Sequence, residues 1–202
     1  MIVDLKSRAT QSETDYARQQ SSPSSLVFVN ANLLFPDGPS VFELHVGDVF
    51  FFPGDASRRE LPTAGFKLGV GASVILETKE EIKVPKNMAG IVLGKGALIF
   101  KGLIISPGKI DPTFSGKLLI GLFNGGTQGY QVKPGAAFCN CMFIQCETDS
   151  DVSSKHNPQP VQPHKPAWHI RIRSYVARNK AWIAILISLL SLIVSAAKSW
   201  SK

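Results

Sequence analysis

The residues best suited to chemistry lie in one short stretch, Gly108 to Gly116, with the sequence GKIDPTFSG. A turn at Pro107 and Gly108 delivers a single carboxylate, Asp111, between an apolar residue and a proline, and an aromatic ring, Phe114, follows on the same loop. A carboxylate held rigidly beside a ring can orient a hydroxyl or a water while the ring stacks on a base. The same residues also suit a plainer role, an Asp that starts a β-turn next to a core Phe, because Asp-Pro pairs commonly initiate turns. Other reactive groups are less suggestive. Cys139 and Cys141 stand two apart, so in a strand they share a face, and His156, His164 and His169 follow downstream. A closed zinc site needs four ligands at compact spacing, which this set lacks, so the thiols are expected to be buried and no metal site is expected. Gly94, Lys95 and Gly96 do not have the spacing of a nucleotide-binding P-loop.

The segment from Ser40 to Cys146 resembles the dCTP deaminase and dUTPase family along its whole length. Gly108, Ile110, Asp111, Phe114 and Gly116 match the family's G-x-I-D-x-x-aromatic-x-G signature. SVFELHVGDVF (Ser40 to Phe50) is similar to an early strand motif, with Glu43 and His45; SVILETKEEIKVPKNMAGIVLGKGALIFKG leads into the phosphate-binding segment; VKPGAAFCNCMF is similar to the closing strand. The resemblance implies a distorted β-barrel or jelly roll that forms a homotrimer with nucleotide sites at subunit contacts. It also implies that Asp111 lies beside the deoxyribose or activates a water, and that Phe114 stacks near the base. Lys95, Gly96 and Ala97 are then the phosphate-binding positions, Asn124 and Asn140 contact base edges, and Mg²⁺ arrives on the bound nucleotide.

The departures from the family pattern bear on catalysis. Where the family has an arginine and hydroxyl residues, this chain has Gly94, Lys95, Gly96, Ala97, Leu98, Ile99 and Phe100. Lys95 keeps a charge without the planar fork that grips phosphate bidentately, and Phe100 has no donor. The deaminase branch uses a glutamate as general base in the strand after the signature, a position that aligns with Gly121. Losing such a base removes about 10²- to 10⁴-fold of rate, so cytosine deamination is not expected unless Glu43 or Glu77 approaches from another subunit. The glycine-rich C-terminal arm of dUTPases is also missing, since Gly135 is the only glycine after Tyr130.

The elements that must position these residues are read from pattern. Between Leu26 and Glu147, short β-rich runs such as VFELHV, DVFFF, SVILET, EIKV, KLLIGLF and FCNCMFIQC alternate with turn signals, which is an all-β pattern without a helical or solenoid period. Residues 1–25 are polar and end in SSPSS, the composition of a flexible arm with one short helix over residues 1–20. Residues 148–180 begin as a proline-rich linker and end as a basic one. Residues 181–197, AWIAILISLLSLIVSAA, carry no charge. At about 1.5 Å per residue they extend roughly 25 Å, close to the ~30 Å apolar layer of a bilayer, with Trp182 and Trp200 placed for the interfaces. This is expected to be a single transmembrane helix.

Charge supports that division. Residues 1–150 hold 14 Lys plus Arg against 14 Asp plus Glu, so the whole net charge of +7 lies in the tail. A body without basic excess does not grip nucleic acid over a broad face. His164, Lys165, His169, Arg171, Arg173, Arg178 and Lys180 precede the apolar segment and only Lys198 and Lys202 follow it, which places the body on the cytoplasmic side and offers cations to anionic lipid. Three cysteines within eight residues are no disulfide framework, and the charged N-terminus is no secretory signal. The expectation is a membrane-anchored deoxynucleotide-binding protein with degraded or altered catalysis. An active dUTP or dNTP diphosphatase using Asp111 and a non-catalytic trimeric scaffold are the alternatives.

Overall fold

The computed structural model describes residues 1–20, 24–31 and 38–150, together with Trp182, Ala184, Ile185, 187–191 and Ile193. The chain divides into two units, Met1–Pro163 and His164–Lys202. Most of the linker expected over 148–180, its basic flank and Trp200 lie outside the described residues.

In chain order the first unit contains α1 (Leu5–Arg8), β1 (Ala9–Thr10), α2 (Glu13–Arg18), β2 (Val27–Val29), β3 (Phe42–Phe51), β4 (Arg59–Glu60) and β5 (Phe66–Leu68). There follow β6 (Ser73–Lys83), β7 (Met88–Gly94), α3 (Gly96–Ile99), β8 (Leu103–Ile105), β9 (Gly108–Ile110), β10 (Ser115–Asn124), β11 (Tyr130–Val132) and β12 (Ala137–Gln145). The expected all-β body is present. One sheet runs in the order β1-β2-β6-β3-β12-β7-β9, with β10 joining β6 to β8 and β4 added to β3, and β11 pairs β5 separately. Alternation along the strands builds the core: β10 reads exposed, buried, exposed, buried, and it packs Leu118, Ile120 and Leu122 inward. Phe138, Phe143, Leu44, Leu76, Ile82 and Met88 fill the centre.

Two strands are longer than their sequence signals. VFELHV and DVFFF form one strand, β3, because Gly47 lets the backbone cross close to β6; a Cβ there would meet the Glu77 and Thr78 carbonyl oxygens at 2.8 Å. SVILET and EIKV likewise fuse into β6, despite the charges between them. The Glu80 carboxylate turns inward, is 2% exposed, and is satisfied by His45: its backbone N–H donates to Oε2 at 2.9 Å and Nδ1 lies 2.7 Å from Oε1. A buried carboxylate with such partners does not break a strand.

The N-terminal residues differ from the loose arm that their composition suggests. β3 covers the edge of β12 only through Cys141, and Met1 to Val3 cover the rest: Val3 N–H donates to Phe143 O, Gln145 N–H donates to Met1 O, and Ile2 bridges Ile144. Covering an exposed strand edge and burying Val3 and Leu5 hold residues that are otherwise polar. Two short helices follow instead of one, each N-capped by a side chain, Asp4 and Ser12.

In the second unit, Trp182, Ala184, Ile185, 187–191 and Ile193 are helical and exposed. Ser188 Oγ donates to Ala184 O at 2.9 Å and Ser191 Oγ to Ser188 O at 2.8 Å, so both hydroxyls are satisfied within the helix. Among the described residues no helix is long and apolar enough to cross a membrane.

Candidate functional site

The loop from Asp111 to Phe114 follows β9 and is fixed by its backbone. Phe114 N–H donates to Asp111 O at 3.1 Å, closing a turn with Pro112 at its second position and Thr113, at φ 65°, at its third. Proline followed by a positive φ is the type II pattern, which favours glycine where Thr113 stands. The turn is tied to the end of β6: Thr113 N–H donates to Val84 O and Val84 N–H to Phe114 O. Val84 is buried, so the loop is anchored on the core.

This anchoring presents Asp111 to a cavity of about 850 Å³. Its lining includes Asp111 and Phe114 of the loop, Glu77 of β6, Lys117 of β10, Phe51 of β3 and Arg58. The floor crosses the sheet: β10 pairs β6, β6 pairs β3, and β4 pairs β3 on its far edge. Lys109 Nζ lies 2.5 Å from Asp111 Oδ1, and the lysine side chain is 70% exposed. A surface ion pair of this kind contributes about 0–1 kcal/mol, so an incoming ligand can displace it. Lys117 Nζ stands 3.6 Å from Glu77 Oε1, and Glu81, the register partner of Lys117, lines the same cavity. The arrangement offers an apolar wall, three carboxylates with two lysines beside them, and a guanidinium. It can bind a polar ring beside Asp111 and accept a proton from a hydroxyl or water held there.

The other residues singled out from sequence fall elsewhere in the chain. Lys95 is partly buried in an ion pair with Glu43 and does not line this cavity. Gly96 and Ala97 begin the four-residue α3, exposed and also outside it. Asn124 is buried; its amide donates to Leu68 O at 3.0 Å and to Gln128 O at 2.9 Å, and its Oδ1 accepts from Gly126 N–H. An amide has two N–H donors, and both are engaged in holding the end of β10 and the following turn, which corrects the expectation of a base-edge contact. Asn140 lies on β12, opposite Glu43 and Leu93, away from the Asp111 cavity. Phe114 lines the cavity but is only 7% exposed, so it offers an edge more than an open stacking face.

Gly121 lies on the outward face of β10, paired with Ile75, and a Cβ there would sit 3.3 Å from Ser106 Cβ. Of the two carboxylates weighed from sequence, Glu77 lines the cavity of its own chain and Glu43 is held by Lys95. Arg58, Lys117 and Glu81 carry no local motif, and the sole signal that could have pointed to them is strand alternation, which sends Glu77, Glu81 and Lys117 to one face. Among the described residues no group of His, Cys, Asp and Glu could hold a metal ion. Cys139 and Cys141 are buried, and burial pushes both thiols well above their usual range, with Glu80 adding to the effect.

Comparison with known proteins fits this geometry. The dCTP deaminase-like family model matches residues 52–146, which include the whole cavity loop and leave Ser40 to Phe50 outside the match. A dCTP deaminase of Ignicoccus hospitalis is 34% identical over 79 residues, 39% of this chain; the chain spans 42% of that relative's length. A probable deoxyuridine 5'-triphosphate nucleotidohydrolase of Methanopyrus kandleri is 26% identical over 133 residues, covering 56% of this chain and 86% of the relative. The solved 2'-deoxycytidine 5'-triphosphate deaminase of Agrobacterium tumefaciens superposes with a TM-score of 0.48 at 17% identity, over 58% of this chain and 43% of that one. Residues 52–146 form a dCTP deaminase-like domain, and over this span the chain is similar to dCTP deaminases and to a probable deoxyuridine 5'-triphosphate nucleotidohydrolase.

Proposed function

We propose that this chain is a membrane-anchored protein that binds a deoxynucleotide, with its catalysis degraded or altered. The observation that carries this reading is the Asp111 loop, kept intact on a cavity of about 850 Å³, beside a position, Gly121, that supplies no carboxylate. Asp111 receives the sugar or a water, and the ring edge of Phe114 borders the base. Three copies assemble so that Lys95, Gly96 and Ala97, which lie outside the cavity of their own chain, reach that of a neighbour. The exposed apolar residues Leu119, Phe123 and Ile104 support such an assembly, since Phe123 and Ile104 pair across β10 and β8 on the face beside the cavity. The apolar segment 181–197 anchors the body on the cytoplasmic side, and the internally bonded serines Ser188 and Ser191 support it, because hydroxyls in lipid must be satisfied by the chain. The described residues build no cage for Mg²⁺, and the ion would arrive on the phosphates of an incoming nucleotide.

A second reading, an active dNTP diphosphatase, is favoured by one observation: Glu77 shares the cavity with Asp111, which gives a second carboxylate to orient water. Thermal shift of the full chain against deoxynucleotides with Mg²⁺, followed by turnover assays, separates them. A ligand at about 100 times its Kd adds about 2.7 kcal/mol to stability. Stabilisation without turnover supports binding alone. Turnover that collapses in Asp111→Asn by about 10²-fold or more, with binding retained, supports the diphosphatase. A flat panel on a folded assembly removes both and leaves a scaffold.

A further inference from the structure

The dCTP deaminase-like match begins at residue 52, so α1, α2 and β2 lie outside it. These elements nevertheless meet the end of β6 from which the Asp111 loop hangs. Two backbone bonds join that loop to Val84: Thr113 N–H donates to Val84 O at 3.1 Å, and Val84 N–H donates to Phe114 O at 2.9 Å. A carbonyl oxygen has two lone pairs. The Val84 oxygen also accepts from the hydroxyl of Tyr16 in α2, at 3.1 Å.

The neighbours of Tyr16 fix that contact. β2 runs antiparallel to β6 with Val29 opposite Ile82 and Phe28 opposite Lys83, the residue before Val84. The Tyr16 ring lies at 58° to that of Phe28, with centroids 6.3 Å apart. Lys83 Nζ stands 4.9 Å from the centroid of the same Phe28 ring and is bonded to Glu13, three residues before Tyr16 on the same helix. Ser12 caps α2 by accepting from Asp15 N–H, which sets where the helix starts. Burial raises the Tyr16 phenol above its usual range, so it stays a donor through neutral pH. Of these contacts, the hydroxyl alone reaches the acceptor that the loop itself uses.

We propose that Tyr16 is a positioning residue for Asp111: its hydroxyl holds the Val84 carbonyl toward Thr113 N–H and so fixes the loop that presents the carboxylate to the cavity. Thr113 makes the loop sensitive to this support, because a β-branched residue keeps a φ of 65° only where its surroundings hold it. When the hydroxyl is lost the carbonyl can turn, and the strained residue relaxes first. Asp111 stands two residues earlier in the same turn, so its carboxylate moves with it. That Asp111 then acts on a ligand rests on the nucleotide reading given above; the mechanical link does not.

The test uses the full chain in detergent micelles and first reads amide hydrogen exchange without ligand. Tyr16→Phe keeps the ring and removes the hydroxyl, whereas Glu13→Gln weakens the contact with Lys83 and leaves the hydroxyl in place. Val3 and Gln145, whose N–H groups are bonded where the N-terminal residues cover β12, serve as the reference. Tyr16→Phe should speed exchange at Thr113 and Phe114 roughly tenfold while Val3 and Gln145, and Thr113 in Glu13→Gln, stay within about twofold of wild type. No change at Thr113 and Phe114, an equal rise at all four amides, or the same rise in Glu13→Gln overturns the role of the hydroxyl. Binding of deoxyuridine and deoxycytidine triphosphates then reports on Asp111. Tyr16→Phe should weaken their Kd roughly threefold in the wild-type background and have no such effect beside Asp111→Ala, where no carboxylate is left to place. Equal weakening in both backgrounds overturns the positioning role. If wild type binds neither triphosphate, the nucleotide reading fails, and the exchange rates still decide whether Tyr16 holds the loop.

Discussion

Thr113 shows the conflict between a residue's preference and its place. A β-branched side chain at φ 65° is strained by about 1–2 kcal/mol, and such strain collects where surrounding structure over-determines the backbone. Here the over-determination is the pair of hydrogen bonds between the loop and Val84. Thr113→Gly should therefore stabilise the chain by about 1 kcal/mol, after allowing for the greater freedom of glycine when unfolded, as read from urea unfolding; a loss of stability would show that the Thr113 side chain supplies more than its backbone strain removes. Asp111 and Phe114 were legible because their loop is local, with residue types and spacing adjacent in the chain. Arg58, Glu81 and Lys117 were not, since they reach the cavity from segments far apart in sequence, and only pairing brings them together. Asn124 was misread for a related reason: an exposed asparagine and one clamping a turn look the same in a sequence.

At the scale of elements, β6 carries the site and also its support. Its inward face holds the Glu80 to His45 pair, and Thr78 Oγ1 donates to Glu80 O while accepting from Leu118 N–H at the irregular register between Lys117 and Leu119. That bulge re-aims the strand that lines the cavity. Removing the imidazole leaves a buried carboxylate with reduced partners, so His45→Ala should destabilise the body by about 3 kcal/mol in urea unfolding. A change under about 0.5 kcal/mol would show that water reaches Glu80 without cost. The N-terminal elements act on the same region. Tyr16 of α2 donates to Val84 O at 3.1 Å, the carbonyl that also receives Thr113 N–H, and Lys83 bridges Glu13 at 2.5 Å. The sequence showed the polar composition of this segment but not its docking, because the acceptors lie on strands it meets only after folding.

For the whole molecule, the neutral body and basic tail are separable by their response to salt. A spanning helix holds through apolar burial, which salt does not screen, whereas a basic flank on anionic lipid is screened within a few ångströms at about 1 M salt. The full chain should stay with membranes through such a wash and be released only by detergent, and its detergent-purified form should have three times the chain mass in protein by light scattering. Release by salt would reduce the tail to a peripheral contact, and a monomer would confine the site to the cavity of one chain.

The sequence by itself determined the all-β class, the signature loop and the resemblance to dCTP deaminases and dUTPases, because alternation of apolar residues and a nine-residue motif are local properties that survive divergence. The tertiary structure decided which charges share a cavity and which are held by a partner. Lys95 and Glu43, His45 and Glu80, and Asp55 and Arg59 are matched by geometry. Electrostatic partners are set by distances of a few ångströms between strands, and a linear order of residues does not contain those distances until the sheet has formed.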